Sequence, residues 1–173
     1  MRGTALLVID LQKGLFGKGT PIYRENELIA NINSLIDAFH TAGLPVAFIR
    51  HTNGSSLAEG TEGWQLHGGL HAVEGDLLLN KKVSNAFREK AIASAIRGLG
   101  IQGVVVTGLV THGCVKAACE GALEQGYTVT LASDGHSSYN ADAASLIGLW
   151  NDKLRQSGVD VAGTGQIVQR ILA

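Results

Sequence analysis

A chain of 173 residues is long enough to bury one full hydrophobic core, and two prolines with no Ser/Gly/Pro tract leave no linker, so residues 1–173 read as one domain. A net charge of −1, with no Lys/Arg-rich run, gives no electrostatic reason to bind nucleic acid or an anionic membrane. The apolar run that ends at Asp10 is too short for a secretory signal, and no stretch is long enough to span a bilayer. Two cysteines do not make a disulfide framework, which suits a cytoplasmic protein with reduced thiols.

Thr4 to Ile9 is apolar on both faces and reads as a buried strand. Glu27 to Ala42 carries helical periodicity through Leu28, Ile32, Leu35, Ile36 and Phe39, and Gly43 is placed to end it. Pro45 to Ile49 is a second strand. Residues 51–75 form a long glycine-rich loop with three histidines, and loops of that length in a compact domain usually carry function. Asp76 to Lys81 is a third strand, Phe87 to Leu99 a helix, and Gln102 to Thr107 a fourth strand. A helix from Cys114 to Gln125 follows, then a strand from Tyr127 to Ala132 and a helix from Asp142 to Gln156 with Asn140 as a candidate cap. Val159 to Ala162 is a short sixth strand, and a last helix starts near Thr164. Alternating strands and helices, with strands that are continuous apolar runs, predict an α/β domain with a mainly parallel sheet. Its ligand edge lies at the carboxyl ends of the strands.

Asp10, Lys81 and Cys114 all fall at that edge. Their chemistries are complementary: a thiol nucleophile, a carboxylate that takes and returns its proton, and a cation that steadies both. Cys114 opens a helix, where the backbone N–H groups favour a thiolate. Alone, each has a bland reading: a turn aspartate, a solvated lysine (Lys82 competes with Lys81), an inert core thiol.

The segments Leu7-Val-Ile-Asp10-Leu-Gln12, Lys81-Lys-Val-Ser-Asn-Ala-Phe87 and Val106-Thr-Gly-Leu-Val-Thr-His-Gly-Cys114-Val115 resemble the isochorismatase-like cysteine hydrolases. So do Glu124-Gln-Gly-Tyr-Thr-Val129 and Asp134, and the resemblance runs over nearly the whole chain. It implies a three-layer α/β/α sandwich with a mainly parallel sheet of about six strands, and assembly as a homo-oligomer, a dimer or larger. It implies a catalytic triad of Asp10, Lys81 and Cys114; the family's lysine precedes the Phe of that segment by six residues, which selects Lys81. It also implies a cis peptide at Leu109–Val110 and an oxyanion hole built from the backbone N–H groups of Val110 and Cys114. Where many members carry Thr or Ser at Ala118 and an Asp near Gly121, this chain has a plainer helix, which points to packing or the oligomer; Cys119 then reads as a core or interface thiol.

The cysteine implies the branch of that family that cleaves C–N bonds of small amides and carbamoyl compounds without a cofactor. His51 lacks the Asp two residues before it that metal-binding nicotinamidases carry, and Gly68 and Gly69 separate His67 from His71 with no carboxylate to complete a set, so no metal is expected. His51, Trp64 and His112 are candidates for the substrate pocket; for Trp64 and His51 the alternatives are loop packing and a surface position. Ser137, Ser138 and Tyr139 are placed to reach a neighbouring subunit's site. A non-catalytic or redox-sensing protein that uses Cys114 as a reactive thiol is the alternative function.

Overall fold

The computed structural model describes residues 1–173. Six parallel strands form one sheet in the order β3-β2-β1-β4-β5-β6. They are β1 (Thr4–Ile9), β2 (Val46–His51), β3 (Leu77–Lys81), β4 (Gly103–Leu109), β5 (Thr128–Ser137) and β6 (Asp160–Ala162). The helices are α1 (Lys13–Phe16), α2 (Glu25–Thr41), α3 (Lys90–Gly98), α4 (Lys116–Glu124), α5 (Ala143–Gln156) and α6 (Thr164–Leu172).

Side-chain alternation along the strands makes two cores. Leu6, Val8, Phe48 and Val105 face α2 and α6, with Leu28, Ile32, Leu35, Phe39 and Ile167 packed over them. Leu7, Ile9, Ala47, Ile49, Val104 and Val106 face the other way, under Ile92 and Ile96 of α3, Ala118 and Cys119 of α4, and Leu154 of α5. Both faces of β1 and β4 are therefore dry, which is why these strands read as unbroken apolar runs. Each fully buried Leu, Ile or Phe adds about 1.5–3 kcal/mol of hydrophobic stabilisation.

Helix α2 carries Glu25 and Glu27 in its first turn, where their charge suits the helix dipole. It ends as the sequence predicts at Gly43, in the left-handed region at φ +65°. Leu44 N–H donates to the Phe39 carbonyl and Gly43 N–H to that of His40, the paired bonds of a glycine-terminated helix.

Some boundaries differ from expectation. The predicted helix 87–99 is split into a 3-10 turn at Ala86–Arg88, capped by the Asn85 side chain, and the shorter α3. Strand β5 runs on to Ser137 because a wide bulge absorbs Ser133, Asp134 and Gly135. Val106 pairs with Leu131, but Gly108 pairs with His136. Inside this bulge the Asp134 carboxylate accepts bonds from the N–H and hydroxyl of Thr164 at 2.8 and 2.7 Å, fixing the start of α6. Asp142, not Asn140, precedes the first turn of α5.

Strands β2 and β3 lie on one side of β1, and β4 to β6 on the other. The strand order reverses between β1 and β4, so the crevice at their carboxyl ends is the natural binding position of such a sheet.

Candidate active site

Asp10 follows β1 and Cys114 lies five residues beyond the end of β4, so the two flank that crevice. Continued alternation would send Asp10 to the α2 side, behind Val8. Instead its φ is +52°, one of two non-glycine residues in the left-handed region. This turns its carboxylate toward the α3/α4 side, where Lys81 and Cys114 lie. Such a conformation costs about 1–3 kcal/mol, and short-chain Asp tolerates it better than most residues. Gly108 makes the approach of β4 possible: at φ +120°, a Cβ there would collide with the Ile9 carbonyl.

Lys81 ends β3 and is 1 % exposed, whereas Lys82 points to solvent. The Lys81 ammonium donates to Asp10 Oδ2 at 3.1 Å, to Cys114 Sγ at 3.2 Å and to His51 Nδ1 at 3.1 Å. The Asp10–Lys81 ion pair is shielded on both sides from solvent. Its other carboxylate oxygen, Oδ1, is buried and has no hydrogen-bond partner. A buried carboxylate that lies within 4.8 Å of a thiol and has one oxygen free of partners is a ready acceptor for the thiol proton.

His51 ends β2 directly opposite Lys81 in the parallel register. Its place is set by Gln12, a fully buried side chain that the sequence reading passed over. Gln12 accepts from the His51 N–H at 2.8 Å and donates to the His51 carbonyl at 2.9 Å and the Trp64 carbonyl at 3.0 Å. One amide thus ties β1, β2 and the long loop together, all four of its hydrogen-bonding directions nearly spent. The signal available in sequence was an amide three residues beyond a buried strand, which no solvated turn needs.

The segment between β4 and α4 begins with a cis Leu109–Val110 peptide and is wound as one wide turn over Thr111–Val115. The N–H groups of Gly113 and Val115 both close on the Val110 carbonyl; those of Val110 and Cys114 take no part in these bonds. Thr111, fully buried, donates its hydroxyl proton to His136 Nδ1 at 2.8 Å. His136 Nε2 donates to Asn151 Oδ1 at 2.9 Å, and Asn151 Nδ2 donates to the Ser133 carbonyl at 3.1 Å. This chain of bonds pins the Thr111–Val115 turn to β5 and α5. Sequence reading missed it, because a lone His in a strand and a lone Asn in a helix carry no spacing signal. Burial holds His136 below the ordinary histidine range, as a neutral ring.

The electrostatics of the thiol differ from the helix-terminus expectation. Burial and then the Asp10 charge push Cys114 up to about 11, and the opposing charge of Lys81 does not offset them. Burial also raises the Asp10 carboxyl, against the pull of Lys81. At rest the cluster therefore favours a neutral thiol. Carboxylate and thiol share one proton, and their titration belongs to the pair.

The remaining expected residues lie as follows. His112 is half-buried two residues before Cys114, with its Nδ1 buried and unpartnered. Trp64 donates from its indole N–H to Thr52 Oγ1 at 3.1 Å, and the Arg50 guanidinium stacks 3.6 Å above its ring. Its ring partners are thus the residues on either side of His51 in the chain. Ser137 and Ser138 are buried and bonded within the chain, to the Tyr23 carbonyl and to Asn140. His67 stacks on Phe16 and His71 pairs with Asp37, in separate places. Cys119 is a core thiol. Asp10, His51 and Cys114 are the one group of metal-ligand types brought together. The Lys81 ammonium sits within 3.2 Å of all three, supplying the positive charge that a metal would. A cavity of about 400 Å³ opens beside the cluster, lined by His51, Thr52, Asn53, Gly54 and Lys82, all polar or small.

The isochorismatase domain model matches residues 4–166. An uncharacterized isochorismatase family protein of Bacillus subtilis (strain 168), YddQ, is 29% identical over 136 residues, covering 76% of each chain. A streptothricin hydrolase of Streptomyces noursei is 26% identical over 142 residues, which span 81% of this chain and only 51% of that protein. The crystal structure of an isochorismatase from Pseudomonas putida KT2440 superposes with a TM-score of 0.86 at 25% identity, over 95% of this chain and 89% of the other. With the match extending from the first strand into the last helix, the chain belongs to the isochorismatase family of hydrolases.

Proposed function

We propose that the protein hydrolyses a C–N bond of a small amide or carbamoyl compound through a thioester on Cys114. The observation that carries this reading is the Lys81 ammonium bonded at once to the Asp10 carboxylate and to the Cys114 sulfur, at the switch point of the sheet. The thiol, held neutral by its surroundings, gives its proton to Asp10 Oδ1 as sulfur attacks the carbonyl carbon. The developing oxyanion is stabilised by the N–H groups of Val110 and Cys114. Asp10 returns the proton to the departing nitrogen, the C–N bond breaks, and the amine or ammonia leaves. Asp10 then takes a proton from a water that attacks the thioester, and the acid departs as the Cys114 thiol is restored.

Lys81 remains charged throughout and balances first the carboxylate and then the anionic transition state. No cofactor enters this scheme. The polar cavity, which His51 borders, suits a small substrate rich in hydrogen-bonding groups, and Trp64 and His112 are further candidates to contact it. Reduced thiols and a work site in the cytoplasm fit the same chemistry, as does a homo-oligomer. The relative named a streptothricin hydrolase supports hydrolysis as the reaction type. A redox-sensing role for Cys114 requires a stable thiolate, and a thiol pushed to about 11 favours proton transfer to a base instead.

The test is a panel of small primary amides and ureido acids assayed for ammonia release, with hydroxylamine added to trap the thioester as a hydroxamate. Ammonia and hydroxamate from the wild type, and neither from Cys114→Ala, are expected. Ammonia release that survives Cys114→Ala would overturn the thioester route.

A further inference from the structure

His51 is the part of the cluster that the Asp10, Lys81 and Cys114 scheme does not use. An ammonium has three N–H donors and no acceptor. Lys81 has three partners at 3.1–3.2 Å, so all three donors are spent and His51 Nδ1 takes one of them. That nitrogen must carry its lone pair, not a proton. A neutral imidazole with a bare Nδ1 has its proton on Nε2. Nε2 has no protein partner and is not among the buried unpaired atoms, and the ring borders the polar cavity.

We infer that His51 is a substrate-contacting residue that works as the neutral Nε2–H tautomer: Nδ1 completes the Lys81 hydrogen-bond set, and Nε2–H donates to the carbonyl-bearing group bound in the cavity. The inference rests on the hydrolase reading of the triad. It assigns to one ring two tasks that need opposite ends of the same tautomer. Protonation would set an N–H against the ammonium at 3.1 Å and break both. The charged groups that face the ring are Lys81 from β3 and Asp10 from the end of β1; Cys114 faces it from the nucleophile turn, and Lys82 shares the cavity wall. Burial and Lys81 both disfavour the imidazolium, and Asp10 only partly opposes them.

Two measurements test it. Long-range proton–nitrogen NMR correlation on the 15N-labelled wild type, assigned against His51→Gln, reports the tautomer directly. A bare Nδ1 and a protonated Nε2 at pH 7 are expected; an Nδ1–H tautomer or an imidazolium overturns the inference. The second compares inactivation at Cys114 by iodoacetamide, which carries an amide carbonyl, with that by methyl methanethiolsulfonate, which does not. His51→Leu lowers the ratio of the two rates about tenfold, the worth of one hydrogen bond, and His51→Gln, which keeps an acceptor and a donor, restores most of it. An unchanged ratio in His51→Leu overturns the inference. Lys81→Met slows both reagents, because Lys81 holds the thiol down. If it leaves both rates at the wild-type value, the triad reading itself falls, and the role of His51 with it.

Discussion

Two thiols lie five residues apart, and their surroundings make them different chemicals. Cys119 is fully buried on α4 among Val115, Ala118 and Ala122, and burial with the nearby Glu120 charge pushes it up to about 12. Cys114 is only partly buried, packed at the edge of the same core, and is pushed up to about 11. Neither is a resting thiolate, so a low pKa is not what separates them. What separates them is company. Cys114 has an ammonium at 3.2 Å and, within 4.8 Å, a carboxylate with one oxygen free of partners. Cys119 has only apolar neighbours and a like-signed charge. What distinguishes Cys114 is a proton acceptor and a cation within reach, more than its place before a helix.

The comparison breaks most visibly if the two thiols are removed in turn. Cys114→Ala is expected to lower hydrolysis by about a thousandfold or more, as loss of a nucleophile does. Cys119→Ala leaves turnover per folded molecule at the wild-type level and costs about 1 kcal/mol of stability, the scale of a small core truncation. Denaturant unfolding beside steady-state rates checks both, and equal losses of activity would erase the distinction.

Asp10→Asn gives the next largest effect, and it runs in opposite directions in two assays. Without the base, hydrolysis falls by about 10²–10⁴-fold. Without the carboxylate charge, the thiol pKa falls toward its ordinary value, because Asp10 is one of the causes that raise it. Alkylation of Cys114 at pH 8 therefore speeds up, while Cys119 stays unlabelled. The wild-type labelling rate climbs with pH toward about 11. Rapid labelling of the wild type below pH 7 would show that the helix-terminus field wins after all.

Much of this site could be read from residues. Asp10, Lys81 and Cys114 stand at strand ends, and a parallel sheet sends strand ends to one edge, so three distant positions converge. The alternation that separates Lys81 from Lys82 is likewise a period-two argument. Local pattern did not show what depends on depth. The field at a helix start can be read from sequence, but the desolvation that outweighs it at Cys114 needs the packed core. Gln12 and the Thr111–His136–Asn151 chain are buried polar groups whose partners lie far away in sequence. The extension of β5 to Ser137 is hidden by a bulge that breaks the alternation on which strand reading depends.

Gly121 gives the smallest and cleanest test of the boundary between the two thiols. The family resemblance marked this stretch of helix as plainer than usual, and its packing supplies a reason. Asn85 accepts from the Phe87 N–H to cap the 3-10 turn, and its side chain lies so close to Gly121 that a Cβ there would collide with Oδ1. Gly121 stands two residues along α4 from Cys119 and seven residues from Cys114. Gly121→Ala must push Asn85 aside and lose its cap, costing about 0.5–2 kcal/mol, less the roughly 1 kcal/mol that alanine regains as a helix former. The net change is a small loss of stability, with the iodoacetamide rate at Cys114 unchanged. Asn85→Gly in the same background removes the clash at the cost of a few tenths of a kcal/mol for the lost cap, so most of the stability should recover. If the Cys114 rate moves with Gly121, the two thiols share one mechanical unit, and the contrast between them is one of degree.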